Sequence, residues 1–155
     1  MHEISIKITI NEKNYEKNIK ANTLLIDFLR EELNLTGTHI GCDTSQCGAC
    51  MVIHNKSAIK SCSVLVAQLN NQEITTIEHL QNKDELHPMQ NAFRNNHGLQ
   101  CGFCTPGMVM SAVDLLKKNK NPSEKEIRDW LEGNICRCTG YQGIVEAEKD
   151  AASKM

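Results

Sequence analysis

The chain has 155 residues, 40% of them hydrophobic and only 4% aromatic, with a formal net charge of −2. That balance gives no basic field for nucleic acid, and no stretch approaches the ~18 apolar residues of a membrane span. The first residues carry no basic run leading into an apolar core, so no secretory signal is expected and the address reads as cytoplasmic.

Ile4, Ile6, Ile8 and Ile10 alternate with polar residues, the period-2 pattern of a half-buried strand. Asn11-Glu12-Lys13-Asn14 reads as a turn and Tyr15 to Ile19 as a returning strand. Thr23 is placed to cap a helix running to about Leu33, with Leu25, Phe28, Leu29 and Leu33 on one face. Thr36-Gly37-Thr38 ends it. Met51 to His54 and Ala58 to Lys60 predict a hairpin turning at Asn55-Lys56, and Ile74 to Ile77 a last strand.

The second half changes character. Met89 to Asn96, Pro106 to Asn119, Ser123 to Glu132 and Tyr141 to Ala152 are helical by period and punctuation. Pro106 suits a first helical turn, where a missing N–H costs nothing. Ser123-Glu124-Lys125-Glu126 is a capping-box entry. The expected fold is α+β: strands with one crossing helix over residues 1–78, then a four-helix bundle over 79–155. Units of about 75 residues draw only a few kcal/mol from a core alone, so metal staples suit them.

The eight cysteines form two sets of four. Cys42, Cys47, Cys50 and Cys62 are spaced C-x4-C-x2-C-x11-C; Cys101, Cys104, Cys136 and Cys138 are spaced C-x2-C-x31-C-x-C. Four thiolates hold one iron–sulfur cluster, and an x4/x2 opening is the plant-type [2Fe–2S] spacing. Disulfides would call for an oxidising compartment. Zinc is the stronger rival, since C-x2-C pairs are common in zinc sites. The first set argues against it, because C-x4-C-x2-C is one continuous loop. The second set, by spacing alone, stays open between iron–sulfur and zinc. Its cysteines precede two helices, whose free N–H groups and positive potential suit an anionic cluster.

The six histidines are not read as ligands, because each set already has four cysteines. Met108 and Met110 read as packing, and Tyr141 as packing at a helix start. Arg137, between two cysteines, has two readings: a charge acting on the cluster or on a partner, and a plain salt bridge.

Three segments carry a resemblance: Gly41-Cys42-Asp43-Thr44-Ser45-Gln46-Cys47-Gly48-Ala49-Cys50, Gln100-Cys101-Gly102-Phe103-Cys104-Thr105-Pro106-Gly107 and Cys136-Arg137-Cys138-Thr139-Gly140-Tyr141. The chain resembles the small iron–sulfur subunit of xanthine-oxidase-type molybdenum hydroxylases over nearly its whole length. Thr23-Leu24-Leu25-Ile26, Asn34-Leu35-Thr36-Gly37, His39-Ile40-Gly41-Cys42 and His97-Gly98-Leu99-Gln100 are most similar to its carbon monoxide dehydrogenase branch. Thr44-Ser45-Gln46 and Met51 depart from commoner members, which bears on the first cluster's potential and removes no ligand.

The resemblance implies a plant-ferredoxin-like (β-grasp) domain and a helical-bundle domain, each with one [2Fe–2S] cluster. It implies a large molybdopterin-binding subunit and a medium FAD-binding subunit, assembled as a dimer of heterotrimers. It implies that electrons pass from the molybdopterin through the helical-domain cluster and then the other cluster to FAD. Gln100 and Cys138 would lie against the pterin, Cys138 being also an iron ligand. Two rivals from other classes are a stand-alone two-cluster ferredoxin and a zinc-stabilised interaction module.

Overall fold

A computed structural model describes residues 2–82 and 84–155. Strands β1 (Glu3–Ile10) and β2 (Lys13–Lys20) pair antiparallel, with Ile4 opposite Ile19 and Ile10 opposite Lys13. The alternation in β1 does what its period requires: Ile6, Ile8 and Ile10 are buried and their polar neighbours face out. The turn is tighter than the expected Asn11–Asn14. Only Asn11 and Glu12 turn, both at positive φ (52° and 63°), as a two-residue hairpin loop demands. Asn14 already sits in the ladder opposite Thr9, whose hydroxyl donates to its side-chain oxygen at 2.8 Å.

The crossing helix is shorter and wider than expected. A single α-turn, α1 (Leu25–Asp27), runs into a π-helical turn over Phe28–Glu32. Leu24, not Thr23, occupies the N-cap, and no side chain caps it. The reason is tertiary. Thr23 O accepts from Val66 N, Leu25 N donates to Val64 O, and Leu24 bridges Leu65. The backbone there is committed to the chain beside it. Leu25, Phe28 and Leu29 are fully buried, as the face predicted.

β3 (Met51–His54) and β4 (Ser57–Lys60) form the expected hairpin at Asn55-Lys56. The last strand, β5 (Glu73–Thr75), is shorter than Ile74–Ile77, because Thr76 N turns to donate to the Asn11 side chain. The sheet order is β2-β1-β5-β3-β4, with β1 and β5 parallel and the other pairs antiparallel, a β-grasp arrangement.

A 3-10 turn (Ile77–His79) leads to helices α2 (Pro88–Asn95), α3 (Thr105–Lys118), α4 (Glu124–Trp130) and α5 (Gln142–Ala152). Ser123 caps α4 reciprocally with Glu126, as expected. Every residue from Gly107 to Leu116 is buried, Met108 and Met110 completely. A helix buried all round belongs inside a structure, and α3 lies between α2 and the β3–β4 hairpin. The helical and sheet halves keep separate apolar cores, with Ile77 and Leu80 on the helical side.

Glu148, on the helix that packs against α2 and α4, is 0% exposed, and neither carboxyl oxygen has a hydrogen-bond partner among the described residues. Burial pushes its carboxyl up from 4.5 to about 8. Across that window the unfolded chain has released a proton that the folded chain retains. The group's contribution to stability is therefore intact below the unfolded value and is lost as pH rises towards the folded one. The slope is about 1.4 kcal/mol per pH unit. Glu148→Gln should match wild type near the acid end of the window and be the more stable protein near its alkaline end. Thermal unfolding midpoints of the two proteins that run parallel across this pH range would reject the assignment.

Candidate metal centres

The first cysteine loop coils through left-handed backbone at Asp43, Ser45 and Gly48, which turns successive N–H groups inward. Thr44 N, Gln46 N and Cys47 N donate to Cys42 Sγ at 3.4, 3.3 and 3.2 Å. These donors, the Cys47 N–H foremost, hold the Cys42 thiol down at about 6. Lys60, at the end of β4, grips the loop by donating to Ser45 O at 2.7 Å and Gln46 O at 3.3 Å. The same strand leads into the short turn that carries Cys62. Ser61 donates twice to Cys50 O, from its N–H and its hydroxyl, so the fourth cysteine is tied to the third. Cys50 and Cys62 are buried beside Ile26, and burial pushes the Cys50 thiol up to about 11. A Cβ on Gly41 would lie 2.8 Å from Cys47 Sγ, so only glycine leaves that side of the thiol clear.

In the second set Cys104 is the N-cap of α3, as its spacing predicts. Cys136 and Cys138 are set further from their helix, with Thr139, Gly140 and Tyr141 intervening before α5. Cys136 N donates to Tyr141 Oη at 2.8 Å, and that hydroxyl donates onward to Asn134 O at 3.4 Å. Thr139 donates to Cys136 Sγ from its hydroxyl at 3.1 Å and its N–H at 3.5 Å. Burial opposes ionisation of Cys136, but these two donors outweigh it and hold the thiol below its ordinary range. Cys104 is pushed up to about 12 by burial. Cys101 and Cys138 are exposed, with their sulfurs 3.5 Å apart.

In this set Cys101 and Cys138 lie against each other at the surface, while Cys104 and Cys136 are buried. Thiols below N–H and O–H donors, with bare glycine beside them, fit an iron–sulfur core with net negative charge.

Cys47 and the second set line one cavity, together with Gly41, Phe103, Ile135 and Arg137. His39 stacks on Phe103 with ring centroids 4.7 Å apart, and its Nδ1 lies 2.7 Å from Phe103 O. His54, His79 and His87 likewise direct ring nitrogens to Gln72, Glu12 and Met89 N. Gln100 and Arg137 are exposed. Around them Ile40, Leu99, Phe103 and Ile135 are 38–54% exposed. The hydroxyls of Thr139 and Tyr141 and the amide of Asn134 escaped the sequence reading. A hydroxyl directly after Cys138 was the one usable signal.

Residues 8–84 match the model of the 2Fe-2S iron-sulfur cluster binding domain, and residues 76–149 that of the [2Fe-2S] binding domain. The caffeine dehydrogenase subunit gamma of Pseudomonas sp. (strain CBB1) is 44% identical over 95% of this chain and 90% of its own length. The nicotine 6-hydroxylase small subunit of Paenarthrobacter nicotinovorans is 42% identical over 98% and 92%. The crystal structure of quinoline 2-oxidoreductase from Pseudomonas putida 86 superposes with a TM-score of 0.94 at 39% identity, over 97% of this chain and 94% of that one. Identity of this order over nearly all of both partners is a family relationship, and the chain belongs to the small [2Fe–2S] subunits of the xanthine-oxidase-type molybdenum hydroxylases.

Proposed function

We propose that this chain is the electron-transfer subunit of a molybdenum hydroxylase, with Cys42, Cys47, Cys50 and Cys62 holding one [2Fe–2S] cluster and Cys101, Cys104, Cys136 and Cys138 a second. The observation that carries this reading is that residues 8–84 and 76–149 match two [2Fe–2S] binding-domain models, each span holding one set of four cysteines. One [2Fe–2S] cluster takes four thiolates, and each span supplies four. Each cluster, when bound, accepts and passes on one electron at a time. The chain's own groups hold the sulfurs, stabilise their charge with N–H and O–H donors and keep Cys50, Cys62, Cys104 and Cys136 away from water.

The partners on this reading are a large molybdopterin-binding subunit and a medium FAD-binding subunit, in a dimer of heterotrimers in the cytoplasm. Exposed Cys138 and Gln100, ringed by apolar side chains, support this face as the one that meets the pterin. Electrons would enter at Cys138, cross to the first set and leave for FAD. On this reading the domain boundary lies near residue 78, and the separate apolar cores support it.

The segments quoted above support a carbon monoxide dehydrogenase-like enzyme, while the relatives are named for caffeine and nicotine. Substrate specificity belongs to the site where the substrate reacts. Assaying the purified complex with carbon monoxide against N-heterocycles separates these readings.

The purified chain should contain about four irons and four inorganic sulfides; zinc, or half that iron, would overturn the two-cluster reading. Thr139→Val removes the hydroxyl that reaches Cys136 Sγ. Hydrogen bonds to sulfur favour the more negative, reduced state. The C-terminal cluster's potential should therefore fall in an EPR-monitored titration while the N-terminal one stays put. An unmoved potential would show that this bond does not act on the cluster. Gln100→Ala should keep its iron but lose a polar contact worth about 1–3 kcal/mol. Weaker docking to the large subunit or slower reduction of the nearer cluster would show it, and wild-type values of both would return Gln100 to a solvated amide.

A further inference from the structure

The two cysteine loops are wedged against each other at a point where neither has room to move. Gly107, in the first turn of α3 and three residues after Cys104, faces Gly48, which lies between Cys47 and Cys50. A Cβ on Gly107 would stand 2.0 Å from Gly48 O and 2.8 Å from Ala49 Cα, both backbone atoms that cannot swing aside. A Cβ on Gly48 would meet Asn134 Nδ2 at 2.4 Å and Gly133 O at 2.5 Å, and Gly48 has φ +73°. Asn134 is 3% exposed and donates from Nδ2 to Gly48 O at 3.3 Å. Next to it, Ile135 N donates to Cys47 O at 2.9 Å. Each contact joins a residue within a few positions of a first-set cysteine to one within a few positions of a second-set cysteine. Two halves that merely packed together would not concentrate bare-backbone contact there.

We propose that Gly107, Gly48 and Asn134 form a clasp that fixes the separation of the two cysteine sets and seats the Ile135 N–H on the Cys47 carbonyl. That hydrogen bond provides the short link from Cys136 to Cys47. The inference rests on the two-cluster reading above. With clusters bound, one electron passing along this link would oxidise the centre held by Cys101, Cys104, Cys136 and Cys138 by one and reduce that held by Cys42, Cys47, Cys50 and Cys62 by one. The Ile135 proton stays on its nitrogen. Gly107, Gly48 and Asn134 are positioning residues, since they touch cysteine backbone and not the reacting atoms.

The test uses Asn134→Ala and Gly107→Ala in the assembled complex, with Ile127→Ala as a control that weakens the helical core but makes none of the clasp's contacts. Iron and sulfide content, the spin–spin splitting between the two reduced clusters and the rate of intercluster transfer are measured together. Asn134→Ala should keep wild-type iron and sulfide while the splitting weakens and transfer slows several-fold. Gly107→Ala should show the same changes more strongly wherever it assembles, and Ile127→Ala neither. Should Gly107→Ala fail to fold, Asn134→Ala decides. Wild-type splitting and rate in Asn134→Ala would overturn the clasp. So would loss of a cluster from Asn134→Ala when Ile127→Ala keeps both, because that would make the residue a folding determinant. A wild-type chain lacking two clusters would instead overturn the proposed function itself.

Discussion

Four thiolates gathered within a few ångströms repel one another, and burying some of them makes ionisation harder still. Most of the local structure around the cysteines answers that cost. The left-handed turns at Asp43 and Ser45 bring three N–H groups to Cys42, Thr139 gives two donors to Cys136, and α3 begins at Cys104. Among the buried members, Cys50 and Cys104 have thiols that burial pushes up. Metal binding supplies the charge that lets such thiols ionise, so the fold and its metal depend on each other.

Much of this was legible because it is local. The hairpin at Asn55-Lys56, the capping box at Ser123 and the apolar run of α3 each follow from neighbours a few residues apart. Cysteine spacing is legible for the same reason, since a loop of fixed length wraps a fixed core. Thr23 misled because its backbone is bonded to Val66, a partner that no helix rule anticipates. The same limit hid the contacts of the site. Asn134 meets Gly48 across 86 residues of sequence, and Tyr141 reaches back to Cys136 only because Gly140 and Tyr141 both adopt positive φ.

The surface is divided by character. β2, at one edge of the sheet, carries Lys13, Glu16, Lys17 and Lys20, the charged side chains that discourage pairing with another chain's strand. Apolar exposure gathers instead around Cys101 and Cys138, at Ile40, Leu99, Phe103 and Ile135. These four come from both halves of the chain. His39 of the first half stacks on Phe103 of the second there, so this part of the surface needs both halves.

Helix α3 belongs to the second half by sequence, but one of its sides serves the first. Its buried Asp114 accepts from Ala58 N at 3.1 Å and from Lys118 at 2.8 Å, and its length lies along β3 and β4. Dividing the chain at residue 78 would strip the sheet of that cover and leave a largely apolar, fully buried stretch of helix with one side bare. The two sequence units therefore meet along this helix. Heat or denaturant should meet a single cooperative body, in which damage to either cysteine loop is felt by the other through the helix they share.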